Sequence, residues 1–115
     1  MTKPSSSADI RLVAYGTLAP GRANHHQLVQ LRGLWRQGTV RGRLIEAGWG
    51  AAMGFPGLVL DPRGDDVAVH LLESDDLPHH WARLDAFEGV GYRRTVTEVQ
   101  TEDALLEAWV YVIAR

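Results

Sequence analysis

The chain of 115 residues is long enough for one compact domain with its own core and too short for two. Hydrophobic residues make up 45% of it and charged residues 23%, and the formal net charge of −2 argues against a general affinity for nucleic acid or for an anionic membrane. Cysteine is absent, so disulfides, thiolate metal sites and cysteine nucleophiles are excluded.

The first nine residues are small and mostly polar. They predict a flexible N-terminal tail over 1–9, followed by a single domain over 10–115. This start lacks the apolar core of a secretion signal, and no later stretch approaches the roughly 20 apolar residues that cross a bilayer. We therefore expect a cytoplasmic protein with neither membrane nor nucleic acid as a partner.

The first half of the domain reads as two strands separated by a loop and a helix. The apolar run 10–14 predicts a buried strand that stops at a glycine, and 16–21 predicts a loop. Asn24 can cap a short helix over 25–31, because its side chain can accept hydrogen bonds from the first free amides. Residues 34–45 alternate roughly between apolar and polar, and two glycines interrupt them, which predicts a long strand that bends at a bulge or a barrel corner.

The second half is richer in strands. The pattern predicts a glycine-rich loop over 47–57, strands over 58–60 and 67–72 joined by a tight connection, and closing strands over 92–99 and 105–113. Between them it predicts a second short helix, with capping side chains and a first-turn proline in 74–78 and with 81, 84 and 87 or 88 on one face. Strands and helices do not alternate regularly, which disfavours a doubly wound fold. We expect an α+β fold, a small mixed β-barrel of five to six main strands with two short flanking helices.

The segment Tyr15-Gly16-Thr17-Leu18 follows the first predicted strand and opens a loop. Glycine lets the backbone turn sharply and approach a ligand, so the amides of Gly16, Thr17 and Leu18 can converge on a carboxylate. An ordinary strand-ending turn is the alternative, since Gly-Thr turns are common.

Glu88 is the candidate for proton transfer. It is predicted near the C-terminal end of a helix, where the negative end of the helix dipole opposes its ionised form, and Phe87 lies beside it. The alternative roles for this carboxylate are a salt bridge to Arg93 or Arg94, or plain exposure to solvent.

Together the two segments resemble the gamma-glutamylcyclotransferase-like family. Its members carry a Tyr-Gly-Thr-Leu loop after the first strand and an Asp-x-x-Glu-Gly segment followed shortly by a tyrosine, which correspond here to 15–18 and to Asp85, Glu88, Gly89 and Tyr92. Similar residues recur at Pro20-Gly21, Asn24-His25, 38–42, 55–57 and 108–111, so the resemblance covers the chain from Ile10 onward.

The resemblance implies a cyclising enzyme, of the acyltransferase or lyase type, that works without a cofactor or a metal. The substrate would be a gamma-glutamyl amine or amino acid, whose own α-amine attacks the gamma-carbonyl to give 5-oxoproline and release the amine. The turn Tyr15–Leu18 would bind the substrate carboxylate and Glu88 would act as general acid/base. Tyr92 would hydrogen-bond the substrate or orient Glu88, whereas Tyr15 would line the pocket or belong to the core.

Other readings stay open. The same pocket suits a non-catalytic module that binds small carboxylates or regulates a partner, and it also suits hydrolysis with water as acceptor. The adjacent histidines at 25–26 and 79–80 lack the spacing that brings two metal ligands to one helix face. The longer eukaryotic-type members have Tyr-Gly-Ser-Asn in place of Tyr-Gly-Thr-Leu, so the substrate is left open, as is the choice between monomer and homodimer.

Overall fold

The computed structural model describes residues 7–22, 25–45 and 57–114. Within these ranges the chain forms six strands, one α-helix and several short 3-10 turns. The elements are β1 (Arg11–Ala14), β2 (Leu34–Ile45), β3 (Gly57–Leu60), β4 (Asp65–Glu73), α1 (Trp81–Glu88), β5 (Tyr92–Gln100) and β6 (Leu105–Ile113). Every strand expected from the sequence is present, with its ends moved by one or two residues at most.

The six strands form one sheet in the order β3-β2-β4-β1-β6-β5. β1 runs parallel to β6, and the other pairings among the described strands are antiparallel. Thr39 of β2 pairs with Gln100 of β5, which closes β2, β4, β1, β6 and β5 into a five-strand barrel and leaves β3 as an additional strand on β2. The expected small mixed barrel is confirmed.

The barrel closes beside a glycine. A Cβ atom at Gly38 would lie 2.7 Å from Cγ1 of Val99 and 2.8 Å from the carbonyl oxygen of Gln100, which is closer than side chains pack. The missing side chain therefore lets β5 approach β2 next to Thr39. This agrees with the expectation that a glycine in this strand marks a barrel corner.

Side chains alternate across the strands and form two apolar clusters on opposite faces of the sheet. The first, here called the barrel cluster, consists of Val13, Val40, Leu58, Val69, Leu71, Val99, Ala108, Val110 and Val112. The second, the helix-side cluster, joins the outer face of β1, β4 and β6 to α1 and the turns, and consists of Leu12, Ala14, Leu18, Leu28, Leu31, Leu72, Leu77, Trp81, Leu84 and Tyr111.

One of the two expected helices is wrong. The segment 25–31 forms a 3-10 turn over His25–Gln27 and further turns, because its amides bond three residues back, from Leu28 to His25 at 2.8 Å and from Leu31 to Leu28 at 3.1 Å. A spacing of three residues buries both leucines as well as an α-helix would. Residue 24, the expected cap, lies outside the described residues.

The described part of the chain begins at Ser7, three residues before the predicted start of the domain. Ser7–Ile10 forms a 3-10 turn in which Ala8 is buried, and the carbonyl oxygen of Asp9 accepts a hydrogen bond of 3.1 Å from Nε1 of Trp81. The expected tail is therefore wrong for residues 7–9. Residues 1–6 lie outside the described part, as does most of the predicted loop 47–57.

The second expected helix is present as α1, but it begins at Trp81, because the expected first turn around Pro78 forms a separate 3-10 turn over Leu77–His79. It buries Trp81 and Leu84 on one face and ends at Gly89, whose φ of 80° favours glycine and whose amide donates to the carbonyl of Asp85 at 3.1 Å. Among the described helices, none combines the length and the apolar character that spanning a membrane requires.

Candidate functional site

The opening turn, Tyr15–Leu18, lies directly after β1. Gly16 has a φ of 61°, in the left-handed region that favours glycine, and begins a 3-10 turn over Gly16–Leu18. Leu18 is buried in the helix-side cluster and anchors the turn. Because the first amides of such a turn have no carbonyl partner within it, those of Gly16, Thr17 and Leu18 are the donors that it can offer to a ligand.

The hydroxyl of Tyr15 is fixed by two hydrogen bonds. It donates to the backbone oxygen of Tyr111 at 2.6 Å and accepts from the amide of Leu58 at 3.1 Å. The ring packs against the barrel cluster, and burial raises the pKa of Tyr15. This corresponds to the alternative in which Tyr15 is a core residue with a satisfied hydroxyl, although its position at the turn also places it beside Glu88.

Glu88 is the last residue of α1 and is half-buried. Burial raises the pKa of Glu88 from 4.5 to about 7, and it is the one cause of that shift among the described residues. None of the ion pairs in the described part of the chain includes Glu88. The alternative of a salt bridge from Glu88 to Arg94 is wrong, because Arg94 pairs with Asp85.

Three tyrosines interact electrostatically with Glu88. Tyr15 comes from the end of β1, Tyr92 from the start of β5 and Tyr111 from β6, and the charge of Glu88 contributes to a raised pKa at each, after the larger effect of burial. Their phenols are therefore neutral in the range where Glu88 titrates and keep their protons for hydrogen bonds. The fold thus brings Glu88, Tyr92 and the first residue of the opening turn to one place.

A second carboxylate lies one helical turn before Glu88. Oδ1 of Asp85 accepts from Nε of Arg94 at 2.8 Å and from the hydroxyl of Tyr111 at 2.7 Å, and its Oδ2 accepts from Arg94 at 3.2 Å. The bond from Arg94 is the main cause that lowers the pKa of Asp85. The two carboxylates of α1 therefore have pKa values displaced in opposite directions.

Two tryptophans hold the guanidinium of Arg94. Its central carbon lies 4.4 Å from the ring centroid of Trp81 and 4.4 Å from that of Trp109, so both rings contribute cation–π contacts. Nε1 of Trp109 donates to Oδ1 of Asp9 at 3.0 Å, and Nε1 of Trp81 donates to the same residue's carbonyl. Arg94 thus contacts both tryptophan rings and is bonded to Asp85 at its polar edge.

Sequence reasoning missed the roles of Arg94 and Tyr111 in this arrangement. Both are polar or amphipathic residues within predicted strands, where the usual assignment is a solvated or a core position. The available signal was the period of two that places Arg94 on the same face of β5 as Tyr92. No sequence signal indicated that Tyr111, 26 residues after Asp85, donates to it.

Within the described residues, no group of three or more histidine, cysteine, aspartate or glutamate side chains is arranged to hold a metal ion. A groove of about 620 Å³ between β2, β3 and β5 contains none of the predicted site residues. Its lining residues are Thr39, Arg41, Leu60, Asp61, Pro62, Asp66, Thr97, Glu98, Gln100 and Leu105. The candidate site therefore consists of Glu88 at the end of α1 and the tyrosines that interact with it, one of which, Tyr15, begins the opening turn.

Solved structures resemble this fold over nearly all of the chain. The crystal structure of an AIG2-like protein from Mus musculus matches with a TM-score of 0.71 and 28% identity, over 91% of this chain and 77% of that one. YkqA from Bacillus subtilis matches with a TM-score of 0.69 and 29% identity over 90% of this chain, which spans only 35% of YkqA. A Pyrococcus horikoshii protein, at 22% identity and a TM-score of 0.63 over 92% of this chain and 79% of that one, shares the fold.

The sequence model of one family covers both segments of the candidate site. It is described as gamma-glutamyl cyclotransferase, AIG2-like, and it matches residues 12–115. No curated protein sequence matches this chain significantly. Because the family match includes all six strands and α1, the chain belongs to the AIG2-like gamma-glutamyl cyclotransferase family.

Proposed function

We propose that this protein cyclises a gamma-glutamyl amine or gamma-glutamyl amino acid to 5-oxoproline, with Glu88 as general acid/base. The observation that carries the proposal is the half-buried carboxylate of Glu88, with its raised pKa, next to the residue that begins the opening turn. Membership of the family supports the class of reaction. The gamma-glutamyl small molecule is the substrate class that this family implies.

The reaction needs a base because the α-amine of the substrate is protonated near neutral pH. The carboxylate of Glu88 removes one proton from this ammonium group, and the freed amine attacks the gamma-carbonyl carbon. The new carbon–nitrogen bond closes the five-membered ring, and the bond to the leaving amine breaks as Glu88 returns the first proton to that nitrogen. The ring nitrogen then gives its second proton to Glu88, which passes it to the released amine, so that 5-oxoproline and an ammonium ion leave. Atoms and charge balance without an oxidant, a metal or a protein nucleophile.

The raised pKa of Glu88 suits both steps. Each pKa unit corresponds to about 1.4 kcal/mol, so the rise from 4.5 to about 7 reduces the cost of moving a proton from an ammonium group to this carboxylate by about 3 kcal/mol. The protonated form then remains a good enough acid for the leaving nitrogen. Activity should therefore increase as the pH rises through about 7, where Glu88 loses its proton.

In this proposal the opening turn binds the substrate. The amides of Gly16, Thr17 and Leu18 donate to the substrate carboxylate, and Tyr92 hydrogen-bonds the substrate or orients Glu88. Folding the gamma-glutamyl chain so that its amine meets its own carbonyl makes the reaction intramolecular, which contributes on the order of several kcal/mol. This explains why so few functional groups suffice.

The test is the release of 5-oxoproline from a panel of gamma-glutamyl amines and gamma-glutamyl amino acids. We expect product with the unaltered protein and a loss of about 1,000-fold or more in Glu88→Gln, which keeps the size and removes the base. Glu98→Gln is the matched control, because Glu98 is an exposed glutamate of β5 opposite Glu107. Free glutamate as product would indicate hydrolysis instead.

Saturable binding of the panel without any product would contradict catalysis and support the binding module. Unchanged turnover in Glu88→Gln would remove Glu88 from the mechanism while leaving the reaction in place. The two failures are therefore distinguishable.

A further inference from the structure

Asp85, Arg94 and Tyr111 form a polar cluster that the proposed chemistry does not use. Oδ1 of Asp85 accepts two hydrogen bonds, at 2.8 Å from Arg94 and at 2.7 Å from Tyr111. The backbone oxygen of Tyr111 also accepts the 2.6 Å hydrogen bond from Tyr15. One residue of β6 thus connects the helix that carries Glu88 to the residue that starts the opening turn.

Arg94 shares a neighbour with Glu88, since its charge lowers the pKa of Tyr111 and the charge of Glu88 raises it. It lies two residues after Tyr92 on β5, so the two side chains share a face of the sheet, and Tyr92 interacts electrostatically with Glu88. Asp85 and Glu88 are three residues apart on α1 and lie on neighbouring positions of one helix face. Both carboxylates are therefore possible ion-pair partners for a guanidinium on this side of the helix.

We infer that Asp85 is a positioning residue for Glu88: its carboxylate fixes the Arg94 guanidinium against two tryptophan rings and thereby keeps this cation from pairing with the proposed base. The inference rests on the role proposed for Glu88. It explains why Glu88 forms no ion pair in the described part of the chain, although Asp85, one helical turn before it, binds Arg94.

Among the residues that the structure describes, the groups that interact electrostatically with Glu88 are uncharged where it titrates. The titratable neighbours that interact with it are the phenols Tyr15 of β1, Tyr92 of β5 and Tyr111 of β6, and all three are neutral where Glu88 titrates. On its own helix the nearest titratable group on the same face is Asp85, whose charge Arg94 of β5 balances. Removing the charge of Asp85 would leave the arginine as the one unbalanced charge in this group.

The test measures the titration of the Glu88 carboxyl directly, by NMR of protein carrying ¹³C-labelled glutamate, with Glu88→Gln to identify its signal. In Asp85→Asn the freed guanidinium should lower the pKa of Glu88 by about 1 to 2, as a cation within a few ångströms does. Arg94→Gln should raise it, because Asp85 is then an unbalanced like charge. The double variant, which removes both charges, should return it close to the original value.

Glu73→Gln is the matched control. Glu73 also binds arginine, through 2.8 Å and 3.2 Å contacts to Arg11 and Arg36, but it pairs with the start of β1, roughly 10 Å along the strand from the opening turn. A lost ion pair should destabilise this variant and leave the pKa of Glu88 in place. An unchanged Glu88 titration in folded Asp85→Asn, or an equal shift in Glu73→Gln, would overturn the inference.

Arg94→Gln keeps the inference testable should Asp85→Asn fail to fold, since an unchanged or lowered pKa of Glu88 in that variant also contradicts it. The pH profile of 5-oxoproline release adds a second readout, whose acid limb should move to lower pH in Asp85→Asn and stay in place in Glu73→Gln. Absence of any product from the unaltered protein would remove the proposed function, whereas the NMR titration would still decide the electrostatic arrangement.

Discussion

The barrel cluster and the helix-side cluster differ in what they are made of. The barrel cluster contains only valine, leucine and alanine, and its members come from all six strands. The helix-side cluster adds tryptophan and tyrosine, with Tyr92 and Trp109 packed against it, and a chain of polar contacts from Asp9 to Arg94 and Asp85 runs along it. The first is a packed interior, whereas the second also holds charges in place.

This difference locates the chemistry. An aliphatic interior has no group that can move a proton or bind a charged substrate, so the barrel cluster contributes shape and stability. The helix-side cluster ends at Glu88, where burial without a cation raises the pKa, and one turn earlier at Asp85, where a cation lowers it. The sheet therefore serves as a rigid base, and the functional groups lie along its outer face.

The largest effects are expected when a buried leucine is removed from either cluster. The two variants should lose similar stability but differ in activity. Leu71 belongs to the barrel cluster and Leu84 to the helix-side cluster, and both are fully buried. Replacing either by alanine should lower the free energy of unfolding by about 2 to 5 kcal/mol, because each leaves a cavity in a packed core. Urea unfolding of both variants would measure this loss.

Only Leu84→Ala should also impair 5-oxoproline release, by roughly 10- to 100-fold per folded molecule, because Leu84 fixes α1 one turn before Glu88. The assay belongs well below the unfolding transition of each variant. Equal losses of activity in Leu71→Ala and Leu84→Ala would show that the barrel interior positions the site as directly as the helix does.

The next effect concerns the stability cost of burying Glu88. Its pKa is about 7 in the folded chain and near 4.5 when unfolded, so the folded state holds the proton more tightly. The cost of ionising the buried group is absent below about pH 4.5, grows as the pH rises to about 7 and then levels off. Glu88→Gln should therefore stabilise the fold by about 2 to 3 kcal/mol at about pH 8 and hardly at all at about pH 4.

Urea unfolding of Glu88→Gln and of the unaltered protein at the two pH values would measure this. Glu98→Gln, at an exposed glutamate in β5, should gain less than about 1 kcal/mol between them, from relief of the repulsion with Glu107 opposite it. A stability of Glu88→Gln that follows the unaltered protein at both pH values would mean that Glu88 is solvated, and the pKa argument for a general base would be lost with it.

The barrel and the position of Glu88 could be predicted because their signals are local. Alternation along 92–99 and 105–113 gives the closing strands, and a glycine directly after Glu88 ends α1. The expected helix over 25–31 was wrong because leucines three residues apart serve a series of 3-10 turns as well as an α-helix. Local spacing does not distinguish these two backbones.

The polar contacts around the site could not be predicted because they join distant residues. Tyr15 bonds to Tyr111 and to Leu58, and Arg94 selects Asp85 over Glu88 although both carboxylates lie on the same helix. That choice depends on how β5, β6 and α1 pack, and no spacing in the sequence records it. The sequence therefore predicted Glu88 as a candidate for proton transfer but not the contacts of Arg94 and Tyr111 around it.

The smallest of these effects tests the link between the two clusters, with a matched pair of Tyr→Phe variants. Tyr15→Phe removes the acceptor of the Leu58 amide, which is buried, and should cost about 1 to 3 kcal/mol of unfolding free energy. Tyr111→Phe removes a donor to Asp85, whose exposed carboxylate keeps Arg94 and gains water, and should cost less than about 1 kcal/mol. Each change removes one hydroxyl, but Tyr15→Phe abandons two backbone partners, at Leu58 and Tyr111, whereas Tyr111→Phe abandons one exposed carboxylate. A larger loss of unfolding free energy, measured by urea unfolding, in Tyr111→Phe than in Tyr15→Phe would contradict this order. The contact between β6 and α1 would then contribute more to stability than the contact between the opening turn and β3.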